Sequence, residues 1–224
     1  MIIKLPWDRN EKDFIRFLRL INVEKSGDVL DIGANIGVMT YHFAKKFKNS
    51  TVHSFEPMPI NYRNLKRIVK RFKLVNVKNY SYALGNEEGS IQMIMPENKK
   101  VYFHGLSHVV NKNNEKGLLV NADIKRLDDI EELSDFKIKA IKIDVEDFEY
   151  LVLKGGEKLI NKNRPLIYAE LWDSKNKVQS FNLLTGLDYK CYINNKNHLE
   201  EYTTQQGFQN YFFIPAESCD DLKL

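Results

Sequence analysis

Asp31-Ile32-Gly33-Ala34-Asn35-Ile36-Gly37 is the stretch of sequence that decides the fold class. A β-rich run at residues 29–32 leads into it, and a helical apolar pattern at residues 38–47 follows it. Gly33 allows the backbone to turn with positive φ, and Gly37 allows the helix to pack close to a sheet. A glycine turn between a strand and a helix is typical of parallel α/β sheets, which bind ligands at the carboxyl ends of their strands.

The segments beyond this turn repeat the alternation of strand and helix. Short apolar runs separated by amphipathic segments predict a mostly parallel sheet with crossover helices on both faces. The last two runs are predicted to close the sheet as an antiparallel edge hairpin, which gives a doubly wound α/β fold of seven strands. The later strands are predicted at residues 51–55, 77–84, 140–145, 165–171, 189–193 and 211–214, with helices at 148–161 and 178–184.

Residues 86–126 interrupt this alternation and predict a small β insertion between the third and fourth strands. Three short β-rich runs lie there, at residues 90–95, 101–103 and 118–124. Before the first strand, residues 1–24 are predicted to form a helical lead-in, because apolar residues repeat at helical spacing. No linker or internal repeat divides the chain, so residues 1–224 are predicted to form one domain.

The composition narrows the class of protein. With 43% hydrophobic and 29% charged residues among 224, the chain can bury a packed core. A net charge of +4 without a nucleic-acid-binding module argues against a nucleic-acid partner. Two cysteines, Cys191 and Cys219, form no disulfide framework or zinc motif, and no apolar run is long enough to span a membrane. We therefore expect a cytoplasmic protein; its oligomeric state is not indicated.

An acidic residue strengthens the cofactor interpretation of the glycine turn. Glu56 closes the second strand at the distance where a carboxylate can accept hydrogen bonds from ribose hydroxyls. The turn lacks the G-x-G-x-x-G spacing of dinucleotide enzymes, and Asp31 before its first glycine can meet a cationic ligand. These features favour S-adenosylmethionine (SAM), which carries an ammonium and a sulfonium, over NAD. The alternative is that Gly33 and Gly37 serve only the turn.

Several sequence blocks follow one another along the chain, namely the turn itself, Phe55-Glu56-Pro57, Tyr82-Ala83-Leu84-Gly85, Arg126-Leu127-Asp128, Ile141-Lys142-Ile143-Asp144-Val145-Glu146, Glu149, Val152-Leu153-Lys154-Gly155-Gly156 and residues 164–170. These blocks resemble those of the FkbM family of SAM-dependent methyltransferases. They occur in the family's order through roughly the middle two thirds of the chain. One position departs from the family pattern, because Asp147 stands where the family usually has glycine. Aspartate is among the few side chains that tolerate positive φ.

The resemblance implies a Rossmann-like class I methyltransferase fold and O-methylation of sugars or other secondary metabolites. It also implies that Asp31 and Asn35 lie beside the methionine part of SAM, that Glu56 binds the ribose, and that Tyr82 and Ala83 lie near the adenine. The full set of predicted cofactor-binding residues is Asp31, Gly33, Ala34, Asn35, Gly37, Glu56, Tyr82 and Ala83.

Methyl transfer to a hydroxyl also needs a group that takes the hydroxyl proton. Asp144 and Glu146 follow the fourth strand, and Glu170 ends the neighbouring one. Such carboxylates could act as a base, as partners for sugar hydroxyls, or as ligands for Mg²⁺, so no metal-ligand set is predicted. His104, in the insertion, is a further candidate base. We predict catalytic roles for Asp144, Glu146 and His104.

The acceptor and two rival functions stay open. We expect a small-molecule or glycan acceptor. A basic helix face, comprising Arg63, Lys66, Arg67, Lys70, Arg71 and Lys73, is either simply solvated or contacts a phosphate- or lipid-linked sugar. The rival functions are a non-catalytic SAM- or partner-binding module and a nicotinamide-dependent oxidoreductase on a similar fold.

Overall fold

The computed structural model describes residues 12–98, 101–102, 107–110, 116–196, 198–204 and 207–220. Most strands are short and apolar, and the central ones are buried along their whole length. In chain order they are β1 (Asp28–Ile32), β2 (Val52–Phe55), β3 (Val77–Tyr80), β4 (Ala83–Gly85), β5 (Gly89–Asn98), β6 (Val101–Tyr102), β7 (His108–Val109), β8 (Gly117–Arg126), β9 (Ile138–Ile143), β10 (Leu166–Glu170), β11 (Tyr189–Asn195), β12 (His198–Glu201) and β13 (Asn210–Pro215).

Helices connect the strands and cover both faces of the main sheet. Aromatic residues of the first helix pack on the second, since the Phe14 and Phe43 rings meet edge to face at 5.1 Å. No helix in the described ranges is long and apolar enough to cross a membrane. The helices are α1 (Lys12–Leu20), α2 (Val38–Lys46), α3 (Pro59–Arg71), α4 (Glu131–Ser134), α5 (Glu149–Gly155), α6 (Glu157–Asn163) and α7 (Lys175–Gly186).

The main sheet has the order β12-β11-β13-β10-β9-β1-β2-β3. The strands from β10 to β3 run parallel, whereas β13 is antiparallel to both β10 and β11. Ile32 is in register with Phe55 on one side and with Ile143 on the other. The carboxyl ends of β1, β2 and β9 therefore lie side by side, directly before the glycine turn, Glu56 and Asp144.

The α/β fold class and the antiparallel edge hairpin are confirmed, but three details differ from the sequence prediction. The sheet has eight strands rather than seven, because β12 pairs with β11 at the edge. The predicted third strand divides into β3 and β4, which belong to different sheets. The predicted helix at residues 148–161 divides at Gly156 into α5 and α6. An apolar pattern shows that a segment is buried but does not show which strand it pairs with.

The β insertion forms a second sheet of order β4-β8-β5-β6, with β7 paired to β5. Its main contact is the long antiparallel pair of β5 and β8, which runs from Gly89 opposite Ile124 to Pro96 opposite Gly117. Met93, Met95 and Ala122 form a small apolar cluster with Met58, which follows β2. The insertion is thus packed beside the carboxyl end of the main sheet.

Candidate functional site

The glycine turn after β1 brings two strand ends into close contact. Gly33 has φ +73°, and a Cβ atom added there would lie 1.8 Å from the Asp144 carbonyl oxygen. Only glycine fits a position with both constraints. Gly37 has φ +92°, and an added Cβ would lie 2.6 Å from Leu65 Cδ1. Its close contact is therefore with α3, and not with the sheet as the sequence suggested.

Two cavities open on this turn. The lining of the first includes Glu56, Met93, Ser107 and Glu146. The lining of the second includes Ala34, Ile36, Met39 and Lys142. Gly33, Asn35 and Asp144 line both. Both cavities lie at the edge where α/β sheets bind ligands.

Glu56 is held in one orientation by the backbone around it. Its Oε2 accepts a hydrogen bond from the Asn35 amide at 2.8 Å, and its Oε1 accepts one from the Met58 amide at 2.9 Å. Burial raises the pKa of this carboxyl to about 7, although the two amides lower it. Asn35 has φ +49°, and its side-chain Oδ1 is buried with no hydrogen-bond partner in the described part of the chain.

Asp31 lies behind the turn and is fully buried. Its Oδ2 accepts a hydrogen bond from Thr40 Oγ1 at 2.6 Å, and its Oδ1 is 3.5 Å from Lys142 Nζ. The lining of the two cavities does not include it. Direct contact between Asp31 and a ligand therefore stays a prediction, and the geometry makes Asp31 a partner of Lys142.

Glu146 is the second cavity carboxyl with an elevated pKa. Burial and the neighbouring Asp144 raise its pKa to about 7, against the effects of His108, Lys142 and a hydrogen bond from Trp172. Glu146 has φ +56°, in the left-handed region that non-glycine side chains rarely adopt. A carboxyl with this pKa exchanges its proton near neutral pH.

Asp147 also has positive φ, +70°, as its place in the family pattern suggested. Its Oδ1 accepts a hydrogen bond from Ser174 Oγ at 2.5 Å, and its carbonyl accepts one from Asn176 Nδ2 at 2.6 Å. Ser174 also caps α7. The left-handed pair of residues is thus tied to the start of that helix.

Tyr82, Ala83 and His104 are the remaining predicted residues. Tyr82 and Ala83 are absent from the lining residues in the described ranges, so their place beside the adenine stays a prediction. Tyr82 packs against Tyr80 and Phe55. His104 lies outside the described residues, although Ser107, three positions later, lines the first cavity.

Metal use stays open. Within the described ranges, no group of three or more histidine, cysteine, aspartate or glutamate side chains could hold a metal ion. Glu170 ends β10 opposite Asn210 and does not join Asp144 and Glu146 in the cavity lining.

Lys142 is the site residue that the sequence analysis missed. It is 2% exposed, lies near the end of β9 and lines the second cavity. The signal was present, because a lysine interrupts the apolar run Ala140-Ile141-Lys142-Ile143 of a central strand. Charged residues are almost never fully buried unless they are paired.

The sequence is also similar to that of a methyltransferase from another organism. "Methyltransferase 1" of Beauveria bassiana is 30% identical over 165 residues, which cover 66% of this chain and 65% of that protein. The chain thus spans slightly less than two thirds of this relative's length.

Solved structures share the fold. A methyltransferase FkbM from Methylobacillus flagellatus superposes with a TM-score of 0.56 at 17% identity, over 84% of this chain and 43% of that one. A Streptococcus mutans protein, solved with S-adenosylhomocysteine (SAH), gives a TM-score of 0.50 at 11% identity, over 95% of this chain and 97% of the other. The family model of the methyltransferase FkbM domain matches residues 31–209. The chain therefore belongs to the FkbM methyltransferase domain family.

Proposed function

We propose that the chain is a SAM-dependent O-methyltransferase that acts on a hydroxyl group of a sugar, a glycan or a related small molecule. One observation carries the proposal: two carboxyls of near-neutral pKa, Glu56, whose oxygens are fixed by backbone amides, and Glu146, line the same cavity beside the glycine turn. The first suits a ribose, and the second suits the proton of an attacking hydroxyl. Membership of the FkbM family supports the reaction class.

The residues present fit SAM. The amides of Asn35 and Met58 orient the carboxylate of Glu56, whose remaining lone pairs can accept hydrogen bonds from ribose hydroxyls. Asn35 Oδ1 is a buried acceptor that needs a donor, and the SAM ammonium could supply one. The carboxylate of Asp144 offers negative charge to a sulfonium. SAM, when bound, supplies an electrophilic methyl group.

Glu146 is the residue best suited to take the hydroxyl proton. A general base works best when its pKa lies near the operating pH, and burial raises the pKa of Glu146 to about 7. Asp144 is less suited, because its Oδ2 lies 3.4 Å from Lys142 Nζ and is already paired with that ammonium. Asp144 is then the nearby charge that helps to hold Glu146 ready for protonation. His104 stays a candidate.

The acceptor would enter from the side of the insertion. Met93 of β5 and Ser107 belong to the lining of the first cavity. Trp172, 40% exposed, donates a hydrogen bond to Glu146 and offers a flat apolar surface beside it. A ring with both apolar and hydroxyl-bearing faces, such as a sugar, suits this combination. The exposed basic face of α3 could meet a phosphate group carried by such an acceptor.

Calorimetric titration with SAM, SAH and NAD tests the cofactor assignment. We expect SAM and SAH to bind and NAD to give no heat. Glu56→Gln should weaken SAH binding about tenfold or more, since a neutral amide accepts hydrogen bonds less strongly than a carboxylate. Glu87→Gln, an exposed glutamate in the turn before β5, is the matched control and should bind SAH like the wild type.

Two results would contradict the proposal. Binding of NAD alone would favour an oxidoreductase, and wild-type affinity in Glu56→Gln would remove Glu56 from the site. Once an acceptor is known, Glu146→Gln should slow transfer by roughly 10²–10⁴-fold while SAH binding persists. Unchanged transfer would exclude Glu146 as the base.

A further inference from the structure

The ammonium group of Lys142 lies close to two carboxylates beside the cofactor cavities, those of Asp31 and Asp144. Its Nζ lies 3.5 Å from Asp31 Oδ1 and 3.4 Å from Asp144 Oδ2. It also donates hydrogen bonds to the carbonyl oxygens of Gly33, at 2.8 Å, and Ile32, at 3.3 Å. The ammonium is therefore held in place by the end of β1, the glycine turn and the end of β9.

The position of Lys142 allows its charge to act on a ligand in the cavities. It lines the second cavity, yet only 2% of its surface is exposed, so water screens its charge weakly. It is the one lysine, arginine or histidine among the described residues that line either cavity. Asp31 and Asp144 carry two negative charges beside it, and Lys142 offsets one of them.

We propose that Lys142 sets the balance between binding of the methyl donor and binding of its demethylated product. This inference rests on the proposed SAM dependence of the chain. SAM carries a sulfonium charge, whereas SAH has a neutral thioether at the same atom and is otherwise nearly identical. The electrostatic potential of the cavity therefore acts on the difference between the two ligands. The carboxylates favour SAM, and Lys142 reduces that preference, which limits the tightness of donor binding.

A purely structural role for Lys142 makes a different prediction. If the ammonium only neutralises buried Asp31, its removal changes stability and weakens both ligands equally. If its charge reaches the ligand, its removal changes the ratio of the two dissociation constants. That ratio needs no acceptor and cancels effects that are common to both ligands.

The test compares two variants that avoid an unpaired buried carboxylate. Asp31→Asn removes one negative charge and should lower the preference for SAM over SAH about three- to tenfold, the order expected for one charge a few ångströms from a ligand. Adding Lys142→Met to this variant removes one positive charge and should restore the preference towards its wild-type value. Calorimetry gives both dissociation constants, and thermal unfolding confirms that each variant is folded.

The control is Lys139→Met, the same substitution at a buried lysine of the same strand. Lys139 Nζ donates to the Lys25 carbonyl oxygen at 3.0 Å and lies outside the lining of both cofactor cavities. The ratio of the dissociation constants of Lys139→Met for SAM and SAH should match that of the wild type. If the methionine double variant does not fold, Lys142→Gln in the Asp31→Asn background keeps a hydrogen-bond donor towards Gly33 without the charge.

The outcomes separate this inference from the proposed function. If Asp31→Asn and the double variant had equal ratios of the SAM and SAH dissociation constants, the proposed effect of the Lys142 charge on ligand preference would be wrong. An equal shift in Lys139→Met would also overturn it, since the effect would not be local. A wild-type protein that binds neither ligand would instead refute SAM dependence.

Discussion

Asp147 shows how one side chain can meet two demands that glycine meets only in part. Its φ of +70° lies where glycine is usual and aspartate is tolerated. Glycine would relieve the backbone but could not accept the hydrogen bond from Ser174 Oγ. The aspartate therefore gives the loop a second anchor on the start of α7. That anchor is next to Glu146, so it also helps to fix the position of the proposed base.

Replacing Asp147 should separate these two contributions. Asp147→Gly loses the hydrogen bond but relieves the backbone, so we expect a destabilisation of at most about 1 kcal/mol. Asp147→Ala loses the bond and also forces alanine into the left-handed region, which adds about 1 kcal/mol or more. Urea unfolding measures both. Asp135→Ala, at an exposed aspartate with φ −99°, should change the free energy of unfolding by less than about 0.5 kcal/mol. Equal stability of the glycine and alanine variants at position 147 would refute the strain argument.

The residues that line the cavities could largely be identified from sequence, because their positions follow from the ends of the strands. Gly33, Ala34, Asn35, Glu56, Asp144 and Glu146 all line a cavity. Their roles towards SAM and the acceptor stay predictions. The lysine in the apolar run of β9 is visible in the sequence, but its partner is not, because Asp31 lies in register with Lys142 on the adjacent strand. Pairing between neighbouring strands is not visible in the local pattern of either one.

At the scale of elements, the sequence predicted where helices and strands occur but not where the chain leaves the main sheet. The run from residue 77 to 84 looks continuous, yet β4 pairs with β8 of the insertion. The contact of β4 with α5 shows what holds this second sheet. A Cβ atom added at Gly155 would lie 1.8 Å from the Gly85 carbonyl oxygen. The helix and the strand therefore touch backbone to backbone.

Gly155→Ala should push α5 away from β4. Both are backbone elements and cannot rotate aside, so we expect a destabilisation of about 1–3 kcal/mol or more, as in overpacked cores. Gly186→Ala is the control, because no atom lies within 4 Å of a Cβ atom added at the end of α7. It should be neutral or stabilising by up to about 1 kcal/mol. Guanidinium unfolding measures the free energy of unfolding of both variants. Similar values for Gly155→Ala and Gly186→Ala would show that α5 and β4 can move apart without loss of stability.

At the scale of the whole molecule, three buried carboxyl groups near the carboxyl edge of the main sheet govern how stability depends on pH. Burial is the main cause that raises the pKa of Glu56 and Glu146 to about 7 and that of Glu149 to about 8, from an ordinary value of 4.5. Between pH 4.5 and 8 the folded chain keeps protons that the unfolded chain has released. Raising the pH across this window therefore favours unfolding. Glu217, whose pKa its hydrogen bond with Arg164 lowers to about 2, acts in the opposite direction but only below pH 4.5.

We therefore expect the melting temperature of the ligand-free protein to fall between pH 5 and 8 and to level off above pH 8. Glu149→Gln should weaken this dependence, because a neutral amide of the same shape replaces a carboxyl that must otherwise ionise while it is 1% exposed. The exposed control Glu87→Gln should follow the wild-type curve. Thermal unfolding at half-unit pH steps measures all three proteins. A melting temperature that stays constant over this range would mean that the three carboxyls are already ionised in the folded state, and Glu146 could not then have the near-neutral pKa that its proposed role as a base requires.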